Sequence, residues 1–64
     1  MWTTVYISQK PEEAQNIRLR LEDAGICVKS KRTINAESGE SCYELLVPSR
    51  ELQEAHNLII DAEL

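Results

Sequence analysis

Two stretches of this chain carry the same apolar rhythm. Ala14, Ile17, Leu21 and Ala24 lie three, four and three residues apart, and Leu52, Ala55, Ile59 and Ala62 repeat that spacing. At 3.6 residues per turn each set forms one stripe along a helix, with polar residues on the remaining sides. A helix with a single apolar stripe must bury it against another layer. The remaining apolar residues fall into short β-patterned segments, so the sequence predicts two helices lying on one small sheet.

Residues 2–7 are all aromatic or β-branched, with Thr3, Val5 and Ile7 alternating against Trp2, Thr4 and Tyr6, the period of a strand. Pro11 fits a first helical turn, and Glu12 and Glu13 favour the positive end of the helix dipole. Gly25 can adopt the left-handed conformation that ends a helix, and Ile26 can then pack back on the last turn. A second strand is expected over residues 26–31, with Val28 facing opposite to Cys27 and Lys29. Residues 32–40, with Asn35, Ser38 and Gly39, read as a mobile hairpin loop. Residues 41–47 resume strand character, placing Tyr43, Leu45 and Val47 on one face and Cys42, Glu44 and Leu46 on the other. Pro48 stops that strand, and Ser49 is the expected N-cap of the second helix.

The order is therefore β-α-β-β-α. A right-handed crossover makes the first two strands parallel with a gap between them, which the third, antiparallel to both, fills. The expected architecture is an α+β two-layer sandwich with a three-stranded sheet of order 2-3-1 and both helices on one face. That face carries Val5, Ile7, Val28, Leu45 and Val47, with Ile17, Leu21 and Ile59 packed between helices and sheet. Trp2, Thr4, Tyr6, Cys27, Lys29, Cys42, Glu44 and Leu46 are expected on the open face. Leu19 falls outside the first stripe and is expected in solvent.

At 64 residues the chain has room for one domain, 1–64, whose core gives about 3–5 kcal/mol unless a partner subunit, metal or disulfide adds to it. Seven Lys and Arg against eleven Asp and Glu give a net charge of −4, which disfavours nucleic acid and anionic membrane as partners. Neither an apolar run long enough to span a bilayer nor a signal-peptide pattern occurs, so the expectation is a cytoplasmic protein. Cys27 and Cys42 form no C-x-x-C pair and are read as reduced thiols. With His56 the only histidine, no metal site or cofactor is expected.

Several short stretches are similar to a family of small bacterial domains of uncharacterised function described as signal-transducing proteins. They are Thr4-Val5-Tyr6, Pro11-Glu12-Glu13-Ala14, Leu21-Glu22-Asp23-Ala24-Gly25-Ile26, and Leu46-Val47-Pro48 followed by Glu54-Ala55. The resemblance implies a truncated ferredoxin-like domain, related to PII-like folds, in which the first strand is an edge where a full fold would add a fourth. Nucleotide binding of the PII-like kind does not carry over, because Gly25 and Gly39 stand alone and make no phosphate loop.

Catalytic readings lose to plainer ones. His56 is expected across the sheet from Cys27 and Cys42, which leaves no thiol-imidazole pair. The acidic pairs Glu12-Glu13, Glu22-Asp23 and Glu51-Glu54 fit solvated helix faces. Lys29, Lys31 and Arg32 near Trp2 and Tyr6 have the residue types of a base-stacking sheet, yet Lys29 opposite Glu44 reads as a cross-strand charge pair. Trp2, Tyr6 and Leu46 on one uncovered face suggest an interface. The expected function is a non-enzymatic regulatory or adaptor module. Its partner, another protein or a second copy, would bind the open face and first-strand edge through Trp2, Thr4, Tyr6, Lys29, Glu44 and Leu46. The alternative is a small-ligand sensor for a metabolite or nucleotide.

Overall fold

The structure, a computed structural model, describes residues 1–63. It contains β1 (Trp2–Ser8), α1 (Pro11–Asp23), β2 (Lys29–Ile34), β3 (Ser41–Pro48), a 3-10 turn (Ser49–Glu51) and α2 (Leu52–Glu63). β3 pairs antiparallel with both other strands, giving the order β1-β3-β2. This is the expected α+β arrangement with the expected strand order. Both helices pack on β1 and β3 and on each other, and the shortest Cα extent, 15 Å, leaves room for a sheet and one helical layer.

The core lies where the stripes meet the sheet. Ile17 and Leu21 of α1, Ile26, Leu45 and Val47 of β3, and Ala55 and Ile59 of α2 are buried together. Val5, Tyr6, Val28, Leu58 and Ala62 close its margin. Helix α1 ends as its sequence dictates. Gly25 sits at φ 85°, its N–H donates to the Glu22 carbonyl at 3.0 Å, and the Ile26 N–H donates to the Leu21 carbonyl at 3.1 Å. Together these bonds satisfy two carbonyls that the helix end would leave orphaned, and Ile26, 4% exposed, supplies the apolar contact of a Schellman cap.

β1 departs from strict alternation. Its register against β3 slips between Thr4 and Tyr6, so Tyr6 lies opposite Leu45 and Ile7 opposite Glu44. The extra residue, Val5, forms a β-bulge, which reverses the sides taken by everything after it. Tyr6 therefore turns toward the helices, and its hydroxyl donates to Glu13 Oε1 on α1. Ile7, expected inside, is 57% exposed. Ser8 comes inward, where its Oγ accepts the Lys10 N–H at 3.0 Å and fixes the turn into α1. Three demands on the helix side, Val5 against the core, Tyr6 to Glu13 and Ser8 at the turn, cannot be met by a period of two.

Other boundaries also move. β2 starts at Lys29, because Ile26 is committed to the helix cap, and it runs on to Ile34. The connection that remains is closed by Asn35, whose N–H donates to the Glu40 carbonyl at 2.8 Å and whose carbonyl accepts the Gly39 N–H at 2.8 Å. Its Oδ1 accepts the Glu37 N–H at 2.9 Å, an Asx turn. Ser49 caps no helix through its side chain; its N–H and hydroxyl both donate to the Met1 carbonyl, at 2.8 and 3.1 Å. Ala24 is exposed at the end of α1, and Leu52 is 37% exposed at the start of α2. The buried part of the second stripe is accordingly Ala55 and Ile59, with Leu58 and Ala62 beside them.

Candidate functional site

The pairing of the strands defines the uncovered face. Thr4 lies opposite Leu46 and Leu46 opposite Lys29, making one row across all three strands. Ile7, Glu44 and Lys31 make the next, and Cys42 with Thr33 the last. Trp2, opposite Pro48, closes the far end. The expected Lys29–Glu44 pair is displaced by two residues, since β2 runs on to Ile34 and pairs it with Ser41, which shortens the connecting loop that sets the register. Lys31 faces Glu44, an arrangement that favours opposite charges.

Trp2 is 39% exposed, and the Lys29 Nζ stands 4.2 Å from its ring centroid. Because β3 lies between β1 and β2, this contact stretches the indole diagonally over the middle strand. A cation above an aromatic face at an exposed site stabilises by roughly 0.5–1 kcal/mol, enough to bias the ring toward one orientation. Of the six residues expected in the site, Trp2, Thr4, Lys29, Glu44 and Leu46 therefore share the open face. Tyr6 does not, and Ile7 takes its place. The bulge that exchanges them leaves no mark on β-propensity, but Ser8 just ahead of Lys10-Pro11 is a local hint that residue 8 turns inward to the helix start.

A second feature runs beside the outer edge of β1. Thr4 and Val5 line a hollow of about 260 Å³ together with Leu52, Gln53 and His56 of α2. Within the described residues β1 has a single neighbour, β3, so this hollow flanks a row of backbone groups with no strand beside them. Sequence reasoning missed it because Leu52 continues the apolar rhythm of α2, which gives no sign that its first member lies at the edge of the sheet.

The nucleophile candidates lie apart. Cys42 is on the open face opposite Thr33, Cys27 is exposed ahead of β2, and His56 is at the β1–α2 hollow. Among the described residues no three His, Cys, Asp or Glu side chains converge as a metal site would require. No helix among them is long and apolar enough to cross a membrane. A further hollow, of about 550 Å³, opens between the helices and is lined by Asn16, Ile17, Leu19, Arg20, Asp23 and Ala62. No family model, curated protein or solved structure matches the chain.

Proposed function

We propose that this chain is a non-enzymatic regulatory or adaptor module that captures a protein partner on its open sheet face and along the outer edge of β1. The observation that supports this reading best is Trp2, partly exposed yet held by Lys29 on a face that neither helix covers. Aromatic anchors dominate the energetics of protein interfaces, and an anchor fixed before binding loses less entropy when the partner arrives. Thr4, Leu46 and Ile7 extend the surface, while Glu44 and Lys31, neighbours in its middle row, add charges of both signs. Free thiols at Cys27 and Cys42 suit a reducing cytoplasm as the place of action, and the resemblance to signal-transducing domains points to the same class of role.

The test compares wild type with Trp2→Ala and Leu46→Lys in crosslinked capture from native lysate. The expected outcome is a protein species lost from both variants. A small-ligand sensor has its own support in the inter-helix hollow, whose volume falls in the range of ligand sites. It predicts a thermal shift with a metabolite or nucleotide that persists in Trp2→Ala. A persistent shift without differential capture would replace the adaptor reading with the sensor.

A further inference from the structure

We propose that the outer edge of β2 takes an added strand, antiparallel to it, from a partner whose extended segment is acidic. This goes beyond the adaptor reading, because β2 is the edge of the sheet opposite β1. The backbone offers the place. β2 pairs with β3 from Lys29 opposite Leu46 to Ile34 opposite Ser41 without a register shift, and among the described residues no strand lies on its other side. Every residue of β2 but Thr33 is exposed. Alternate residues of this regular edge turn N–H and C=O groups outward, where an extended chain can meet them. β1 lacks that continuity, since its ladder is broken at Val5.

Charge selects the occupant. Three of the chain's seven Lys and Arg, namely Lys29, Lys31 and Arg32, stand within four residues in a protein of net charge −4, and β2 holds no acidic residue. Among the described residues neither Lys31 nor Arg32 makes an ion pair. Glu44 lies opposite Lys31 on β3, on the inner side of β2 and away from its free edge. At the end of α1, Glu22 pairs with Arg18 at 3.5 Å and Asp23 shares a hollow with Arg20. The edge is thus a cationic strip on an acidic protein. It repels a second β2 and attracts a strand of carboxylates.

The order of side chains along β2 then specifies the segment. From its N-terminus, an antiparallel strand meets Ile34, Thr33, Arg32, Lys31, Ser30 and Lys29 in turn. Ile34 is 63% exposed and precedes the connection that holds Glu37 and Glu40, which favours an apolar residue at that end and disfavours an acidic one. The fitting pattern is apolar, any, acidic, acidic, any, acidic. Of its three carboxylates, two fall on the open face beside Lys29 and Lys31, and one on the other face beside Arg32.

An NMR titration with the end-blocked peptide Val-Thr-Glu-Glu-Thr-Glu tests this. The expected result at millimolar peptide is amide shifts and slowed hydrogen exchange along β2, with little change in β1. The double variant Lys31→Gln with Arg32→Gln alters exposed side chains only, so its circular dichroism should match wild type while the dissociation constant rises about tenfold or more. A peptide with Gln in place of Glu should be weakened likewise. A peptide N-methylated throughout keeps the charges and loses the strand donors, and it should not slow exchange in β2. No response of β2, equal binding of the N-methylated peptide, or an unchanged dissociation constant in the double variant overturns the proposal. So does a mixed single-stranded oligonucleotide that binds β2 more tightly than the peptide at physiological salt, which would make the cations a phosphate site. Trp2→Ala should retain the peptide; its loss there would place the peptide on the open face, overturning the edge while the adaptor reading stands.

Discussion

β1 and β2 are the two outer strands of one sheet, and they meet water differently. In β2 (Lys29–Ile34) every residue but Thr33 is exposed, and the helices lie over β1 and β3 instead. In β1 (Trp2–Ser8) only Trp2, Thr4 and Ile7 are exposed, and Val5 and Tyr6 reach the core. β2 is guarded by three cations, a common device against edge-to-edge pairing. β1 has no charges; its ladder is broken by a bulge and shadowed by α2. A charged edge resists pairing with another strand of like charge through repulsion, whereas β1 departs from a flat, regular edge through its bulge and through α2 beside it. The cations of β2 fit that protective role.

The most drastic way to break this contrast is to remove what holds β1 and the helices together. Leu21 is fully buried between α1 and the sheet, and Leu21→Ala should cost about 2–5 kcal/mol, comparable with the whole stability of a domain this small. Urea melts would read it as a largely unfolded variant. A loss below about 0.5 kcal/mol, the scale of surface substitutions, would mean that α1 packs in another register.

β2 depends instead on β3 and on the cap that launches it. Gly25 is at φ 85°, and a Cβ added there would meet nothing within 4 Å. The cost of Gly25→Ala is therefore backbone strain alone, about 1–2 kcal/mol, and hydrogen exchange should show it first as faster exchange in β2 than in β1. Equal acceleration of both strands would show that the two edges unfold as one unit.

The bulge can be tested by exchanging faces. Tyr6→Phe removes the hydroxyl that donates to Glu13 and should cost about 0.5–1 kcal/mol, whereas Ile7→Thr, on the solvated side, should stay within about 0.5 kcal/mol. Strict alternation from Trp2 predicts the reverse order. Denaturant melts of the two variants would decide between a bulged β1 and a regular one.

How much of this was legible in the sequence follows from which forces were local. Strand order, the helix stripes around Ile17, Leu21 and Ile59, and the Gly25 cap were readable because periodicity and capping act within a few residues. The reversal of Tyr6 and Ile7 was not, since it depends on Glu13 and on the Ser8 turn acting together with the core. The end of β2 was hidden because Arg32, Thr33 and Ile34 join the sheet through backbone pairing, for which their side chains give little signal. Five of the six site residues stand on the expected face for a plain reason: β3 keeps strict alternation, and Trp2 and Thr4 precede the bulge. The α2 flank was unreadable because Leu52 satisfies the helical rhythm whether or not anything covers it.

The smallest effect concerns a contact that bridges the two edges. The Lys29 ammonium over Trp2 crosses the open face from β2 to β1, and Lys29→Ala should change stability by only about 0.5 kcal/mol, the lower end for an exposed cation–π pair. Fluorescence is the more sensitive reporter, since Trp2 is the sole tryptophan. Without the ammonium above it the indole should be more hydrated, with emission shifted to the red and quenching by acrylamide increased. Lys29→Arg, whose guanidinium also stacks on aromatic faces, should restore both signals, whereas loss of a mere surface charge would not be rescued differently by Arg and by a distant lysine. If Lys29→Ala leaves the emission unchanged, the ring is not held across β3. The open face then loses its fixed aromatic anchor, and the outer edge of β1 would remain as the stronger candidate for partner binding.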